Sequence, residues 1–444
     1  MTLNFNKHVN SSIEVEQNEE LLHEVYDYTQ IDDEMNVIIG LDGGSTQTRC
    51  CILSAEHQDG YKQYVIPSVC AQVKTGKEIK AVNDTLYANL DSELVCLDTA
   101  TTKPDKKLYF KSERLIRGTK LFNEGIPPTF IETGLSKVHT DLFYMNIIDA
   151  IGYTVVQSHS GAIPRKVNVR LGVALPNDDM TPPRRAHLQA HLCGSYQWTL
   201  GDKVKIIINI VSVDALTEPE AFIKAYAIET EMNTPEYQLH IEVGGRSSGV
   251  EVLRRGIPID SASKPFDFCG TYLINKIITD CQHSIDKKFT PEQIRKALRT
   301  GVVKQGRNSM DITPQIRRAK DAMASELFKS IMRDSIGSSS AFTFEDIEMI
   351  TFSGRTFNEG DYNYSLDEKL TELFEERNPE NITFERISEN YIPLGLLYTV
   401  FGEDGQDFLF EGYEDEDEYE DDSSDESAAD IDNKYDLSVD SLVE

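Results

Sequence analysis

The 444-residue chain has no run of about 18 apolar residues, the length a membrane-crossing helix needs. Its first nineteen residues also lack the basic-then-apolar pattern of a secretory leader, so a cytoplasmic protein is expected. Cysteine is sparse: seven residues, at 50, 51, 70, 96, 193, 269 and 281, form no CxxC pair and no His-partnered zinc spacing. That pattern is read as reduced, mostly buried thiols, with neither a disulfide framework nor a zinc site. GxxxxGK[ST], GxGxxG and HExxH are all missing, which sets aside P-loop, dinucleotide-fold and zincin chemistry. Positive charge is scarce too: 44 Lys and Arg face 75 Asp and Glu, a net of −31. This argues against a broad nucleic-acid footprint, leaving room only for local patches such as Arg184–Arg185 or Arg254–Arg255.

The acid is concentrated at one end. Residues 403–444 carry 19 acidic residues and one Lys, a net of −18. Within them, 414–426 (EDEDEYEDDSSDE) is a like-charge block that cannot bury enough apolar surface to fold, so a disordered acidic tail is expected. Two uses stay open for it: a solubilising, repulsive tail, or a docking segment for a basic partner. In the second use, Tyr435, Leu437, Val439, Leu442 and Val443 form a short apolar anchor, and Ser423, Ser424 and Ser427 are kinase sites. The rest of the chain is long enough for two to three domains with ample core. Residues 1–36 are read as a polar extension ahead of the first strand, with Ser12, Leu21, Leu22, Val25 and Tyr26 set for one short amphipathic helix.

The most informative stretch is 37–53 (VIIGLDGGSTQTRCCIL), which reads as strand, tight turn, strand. Gly43 and Gly44 let backbone N–H groups converge, Ser45, Thr46 and Thr48 add hydroxyl donors, and Arg49 adds a cation. Such a loop suits a polyphosphate. Asp42 at its mouth can hold the waters of a Mg²⁺ ion. The plain alternative is a hairpin turn rich in Gly and Ser.

Further strands are expected at 61–65 and 69–73, a buried helix at 140–156, and two β-branched strands at 167–175 and 204–213 that fit a sheet covered on both faces. The second runs into LTEPEAFIKAYAI, where Thr217 can cap a helix starting at Pro219, placing Glu218 between strand end and helix start. Residues 237–260 (YQLHIEVGGRSSGVEVLRRGIPID) repeat the first layout, with an acid (Glu242), two glycines (Gly244, Gly245), then Arg246 and the hydroxyls Ser247 and Ser248. Two such loops in sequential half-chains suggest a duplicated fold clamping one phosphate chain from both sides. A helix follows at 267–278, then charged helical sequence at 286–331 with a break near 307–314. A last strand at 346–352 ends in Ser353-Gly354-Arg355-Thr356, and an apolar helix at 391–401 closes the folded part.

DGGSTQTR resembles the first phosphate motif of the actin-like ATPases, IEVGGRSSG the second, TEPEAF the segment after the first domain's strand, and ITFSGRT the adenosine-side glycine motif. LGVALP, QWTLGDKVKIIINIVSVDALTEPEAF and LGLLYTVFG are most similar to ParM-type plasmid and phage segregation actins. The resemblance implies an α/β, ribonuclease-H-like duplicated two-domain ATPase fold: domain I at 37–225, domain II at 226–402, flanked by the 1–36 extension and the 403–444 tail. It further implies ATP (or GTP) and Mg²⁺ in the cleft, with Asp42 organising the ion through water. Gly43, Gly44, Ser45 and Thr46 with Gly244, Gly245, Arg246 and Ser247 would cradle the phosphates, with Arg49 near the β-phosphate. Glu218 would polarise the attacking water, Glu242 would share the catalytic acid cluster, and Gly354, Arg355 and Thr356 would border the base. Glu242 stands where the family usually has Asp, Arg49 where it has Lys, Arg246 where a hydroxyl is common, and Arg355 where a second Gly is usual. The implied activity is nucleotide-dependent self-assembly, with an adaptor protein linking filaments to DNA or cargo. A heat-shock-70-like chaperone ATPase, a small-molecule kinase and an inert relative of the same fold are the alternatives.

Overall fold

The computed structural model describes residues 29–44, 47–57, 60–68, 70–73, 91–99, 112–117, 129, 136–159, 162–176, 179–201, 204–230, 235–245, 248–259, 261–354, 356, 365–377, 382–386 and 390–411. The first sheet contains β1 (Thr29–Gly43), β2 (Gln47–Ser54), β3 (Lys62–Pro67), β4 (Cys70–Val73), β5 (Asp91–Thr99), β6 (Ser112–Arg117), β7 (Ala162–Leu175), β8 (Gly194–Leu200) and β9 (Val204–Thr217). Their order is β3-β2-β1-β7-β9-β8-β5-β6-β4. β1, β7 and β9 run parallel, and the β2–β3 hairpin joins antiparallel to β1. The helices of this half are α1 (Asp141–Ser158), α2 (Pro182–Leu192) and α3 (Glu218–Thr230).

The second half repeats the plan. Its sheet contains β10 (Tyr237–Val243), β11 (Ser248–Arg254), β12 (Ile257–Pro258), β13 (Lys264–Phe266), β16 (Met349–Ser353) and β17 (Thr383–Arg386), and a separate hairpin joins β14 (Val302–Gln305) to β15 (Asn308–Asp311). Strand order β11-β10-β16-β17 matches β2-β1-β7-β9, with β10, β16 and β17 parallel and β11 antiparallel. Its helices are α4 (Gly270–Ile285), α5 (Pro291–Thr300), α6 (Thr313–Ser330) and α7 (Leu366–Glu375), followed by the C-terminal α8 (Tyr391–Phe401) and α9 (Gly405–Phe410). The two strand–Gly–Gly–strand units are the equivalent β1–β2 and β10–β11 hairpins.

Each sheet has its own apolar core. In the first, α1 buries every side chain from Leu142 to Val156, against Val37, Ile39 and Leu41 of β1 and Val167, Val169 and Leu171 of β7. β7 is covered on both faces from Leu171 to Leu175; before that, Val167 and Val169 are buried while Lys166, Asn168 and Arg170 stay partly exposed. β9 is not so covered: Val204, Ile206, Ile208 and Ile210 point inward while Lys205 and Val211 are exposed, so the alternation is that of a sheet with one wet face.

The C-terminal segment returns to the first sheet. A Cβ on Gly40 of β1 would lie 1.9 Å from the Pro393 carbonyl oxygen, and one on Gly395 would lie 1.6 Å from the Ala221 oxygen. Only glycine at both positions lets α8 lie directly on β1 and α3. α9 follows: Asn36 Nδ2 donates to the Phe408 and Glu411 carbonyls at 2.7 and 3.2 Å.

Several expected boundaries therefore shift. β1 starts at Thr29, so the sheet claims part of the expected 1–36 extension. The ordered chain continues through α9, so 403–411 belongs to the folded body rather than the tail. The break near 307–314 is the turn and second strand of the β14–β15 hairpin. β16 is not the last strand, because β17 follows it. The expected helix before Tyr28 and the acidic block 414–426 lie outside the described residues. All seven cysteines are free thiols and five are buried, as their scatter predicts.

Candidate functional site

β1 ends by delivering Asp42 to the mouth of the first glycine turn, and β2 begins by returning Arg49 directly opposite it in the antiparallel register. The guanidinium Nη1 sits 3.3 Å from Asp42 Oδ2. A Cβ on Gly44 would lie 2.5 Å from the Gln47 carbonyl oxygen, so the turn closes only because that residue has no side chain.

Glu218 opens α3. The preceding Thr217 caps the helix reciprocally with Glu220: the Glu220 N–H donates to Thr217 Oγ1 at 3.1 Å, and the Thr217 N–H donates to Glu220 Oε2 at 2.9 Å. The helix thus begins one residue before the expected Pro219. One turn further on, Phe222 stacks on His240 of β10, with ring centroids 4.9 Å apart and planes tilted by 15°. His240 lies two residues before Glu242 on the same face of the strand, so this contact carries Glu218 to Glu242. His240 is held by the Thr351 and Ser353 hydroxyls at 2.9 and 3.0 Å, and burial drives its pKa down to about 3, so it stays a neutral platform.

Three carboxylates therefore crowd together, Asp42 buried and Glu218 and Glu242 half-buried. Burial, then the charge of Glu218, raises the Asp42 pKa to about 6, while Arg49 and Lys137 pull it back. Glu242 is raised well above the usual carboxylate range by burial, by the charge of Glu218 and a hydrogen bond with it, and by Asp42. Three crowded carboxylates cannot all stay ionised in a medium of low polarity. A proton or an added cation relieves them.

Beside Arg49 the cluster holds a second cation, Lys137, a residue that no motif or spacing in the sequence marks. It lies on the short 3-10 turn Lys137–His139. Its ammonium sits 3.5 Å from Glu218 Oε1 and donates to the Gly43 carbonyl at 3.3 Å. Burial opposes its charge, but Glu218, Asp42, Glu242 and Asp179 together hold its pKa above the usual value. Asp179 positions the turn by accepting the Lys137 N–H at 3.0 Å, and is itself anchored by Arg184 at 2.9 Å.

The second glycine turn meets the third. Gly244 accepts the Thr356 hydroxyl at 2.9 Å and the Gly270 N–H at 2.9 Å, while Gly245 accepts the Thr271 N–H at 2.9 Å. Gly354 has φ +107°, and a Cβ there would lie 2.5 Å from the Val243 backbone. Gly245 differs: no described atom lies within 4 Å of the place a Cβ would take, so packing does not demand glycine there. Asp42, Arg49, Glu218 and Glu242 are thus brought together with Gly43 and Lys137, and Gly354 and Thr356 are brought to Gly244. Ser45, Thr46, Arg246, Ser247 and Arg355 lie outside the described residues. Among the described residues no group of three or more His, Cys, Asp and Glu side chains could hold a metal ion.

No protein-family model matches the sequence, and no curated protein matches it. The structure does have solved counterparts. It superposes on Ta0583, an archaeal actin homologue, with a TM-score of 0.59 and 13% identity over 82% of this chain and 98% of the other, and that protein has also been solved in complex with ADP. A ParM from a 15-stranded filament of Clostridium botulinum gives 0.58 and 12% identity over 82% and 99%. Bacillus thuringiensis ParM with ATP gives 0.54 and 13% identity over 82% and 98%. With the duplicated sheets and paired glycine turns, these likenesses establish that the protein has an actin-like fold of the ParM type.

Proposed function

We propose that the protein is a filament-forming, nucleotide-driven ATPase, binding ATP (or GTP) with Mg²⁺ between its two halves. The observation that carries this reading is the cluster of Asp42, Glu218 and Glu242 around Lys137 at the point where the glycine turns of both halves converge. The crowding that raises two carboxyl pKa values is the deficit a divalent cation would relieve. Asp42 would hold such an ion through water, the ion supplying charge neutralisation for the phosphates.

The chain's own groups then take distinct parts. Gly43, Gly44, Ser45 and Thr46 and Gly244, Gly245, Arg246 and Ser247 cradle the phosphates, and Arg49 adds charge on the β-phosphate side. Gly354, Arg355 and Thr356 border the base. Glu218 orients the attacking water, and its neighbour Glu242 takes up or gives back the proton the two share. Catalysis is positioning plus electrostatic stabilisation. Self-association into filaments, an adaptor protein linking them to DNA or cargo, use in segregation or positioning, and a cytoplasmic setting complete the proposal; the acidic tail is an interaction segment for a basic surface.

The test mixes purified protein with ATP, GTP or a non-hydrolysable analogue in Mg²⁺ and follows light scattering and electron microscopy. Polymers that form with nucleotide and decay as it is hydrolysed are expected. Glu218→Ala should keep nucleotide binding and slow hydrolysis, and a variant hydrolysing at the normal rate would overturn the role given to Glu218. A monomer that hydrolyses without assembling would overturn the filament reading.

A further inference from the structure

Residues 286–318 hold nine Lys and Arg against three acids, a net of +6 in a chain of net −31. They lie exposed on adjoining elements, the Ile312 N–H donating to the Gly301 carbonyl at 2.8 Å and so joining the stretch before residue 313 to the end of the helix at 291–300. α5 is capped at both ends, by the reciprocal Thr290–Gln293 box and by Gly301 at φ +70°, and it buries Ile294, Ala297 and Leu298. That face fixes the opposite one, leaving Arg295, Lys296 and Arg299 exposed. Lys287 and Lys288 precede the helix, Lys304 and Arg307 lie on the β14–β15 hairpin that follows it, and Arg317 and Arg318 lie on the first turns of α6; all six are exposed.

Part of this charge is answered locally, at Arg295, Lys296, Arg317 and Arg318. Glu292 sits 3.8 and 3.7 Å from Arg295 and Lys296, and Arg318 pairs with Asp280 at 2.9 Å. Lys287, Lys288, Arg299, Lys304 and Arg307 form no ion pair among the described residues. The basic pair Arg254–Arg255 is different, since both guanidinium groups are bound by Glu236.

We propose that this basic face docks the acidic segment 414–432 of the chain itself. This deepens the tail reading above and rests on it only for the tail being an interaction segment. Residues 412–444 carry fifteen acids and one Lys. Outside 286–318, residues 29–411 carry a net of −18, so most of the body repels the segment that leaves it at Glu411. Reach is no obstacle: 33 residues span at most about 110 Å, against a radius of gyration of about 20 Å for a compact chain of this size. The same reach serves a neighbouring copy, so in an assembled state the contact can run between subunits. Phosphorylation of Ser423 or Ser424 would add charge to the docked segment and tighten it.

The experiment is zero-length carbodiimide cross-linking of the full-length protein without nucleotide, read by peptide mass spectrometry, at 0.1 M and 1 M salt. Screening lengths are then about 10 and about 3 Å. Amide links from Lys287, Lys288, Lys296 and Lys304 to acids in 414–432 are expected at the lower salt and several-fold fewer at the higher. A mixture of isotopically light and heavy protein tells whether the tail comes from the same or another molecule, and either origin supports the docking. The exposed triple variant Arg295→Glu/Lys296→Glu/Arg299→Glu should abolish the links at Lys287, Lys288 and Lys304. Lys304→Glu/Arg307→Glu, on a separate element, should weaken those at Lys287 and Lys288. Links concentrated instead on the basic stretch 103–111, which lies outside the described residues, would overturn the assignment. So would a face that forms no tail links but binds duplex DNA in a way the triple variant removes. Neither result touches the nucleotide reading, because no nucleotide or polymer enters the assay.

Discussion

Replacing Asp42 by Asn separates what the site does for stability from what it does for binding. The Asp42 carboxyl has a folded-state pKa of about 6 against an ordinary value of 3.8, so the folded chain binds that proton more tightly than the unfolded chain does. A raised carboxyl pKa gives stability that is full below the unfolded value and is lost as pH rises through the folded one. At 1.36 kcal/mol per unit the loss totals about 3 kcal/mol, of which about 1 kcal/mol falls between pH 5 and pH 6. Asn cannot ionise, so the difference between the two proteins reads Asp42 together with the part of the Glu242 shift that the Asp42 charge causes. Without nucleotide, Asp42→Asn should gain about 1–2 kcal/mol on the parent between pH 5 and pH 7.5, measured as urea midpoints at each pH. In the same variant, Mg²⁺-dependent nucleotide binding should be lost. A stability gap that does not change with pH, or Mg²⁺-dependent binding that survives, would refute the reasoning.

Lys137→Met removes the ammonium beside Glu218 and should cost up to about 3–5 kcal/mol, the scale for breaking a buried pair. The loss should shrink toward acid pH as the carboxylates take up protons, whereas Lys137→Arg keeps most of the charge; thermal melts at pH 5.5 and pH 8 check both. Gly245→Ala should leave the melting temperature unchanged, because the methyl meets no described atom, while weakening nucleotide affinity about tenfold or more if a phosphate approaches that backbone; calorimetric titration decides. Arg117→Met should destabilise by about 3–5 kcal/mol, since Arg117 is buried against the fully buried Asp149 at 2.5 Å. Trp198 and Ser92 would still donate to that carboxylate, at 2.7 and 2.5 Å, but without a countercharge. Nucleotide affinity of the folded fraction should not change. Gly395→Ala should cost about 3 kcal/mol or more by forcing α8 off α3, visible as a lower urea midpoint.

Local chemistry was the part of this protein that its sequence determined. A β-branched run broken by two glycines and bounded by an acid can only be a strand entering a tight turn, and the layout occurs twice, at Asp42–Gly43–Gly44 and Glu242–Val243–Gly244–Gly245, so the duplication was legible too. The same holds for the Thr217 cap, which works within four residues, and for α1, whose apolar residues at helical spacing mark a buried helix, although the burial of Asn146 and Asp149 within it was not legible.

Only the tertiary structure decided what meets across the chain. Lys137 carries no motif, and it becomes a site residue because the 3-10 turn lays it over Gly43 and beside Glu218, 81 residues away in sequence. Arg117 and Asp149 look like ordinary surface charges until β6 and α1 close over them. The return of α8 and α9 to the first sheet depends on glycines at 40 and 395, whose need shows only when two backbones touch. Sequence patterns report which side of an element is dry, because that is set by neighbours three or four residues off. Which charge faces which is set by sheet order and helix docking across 32 residues for Arg117 and Asp149 and 81 for Lys137 and Glu218, and a pairwise energy at that range leaves no local trace.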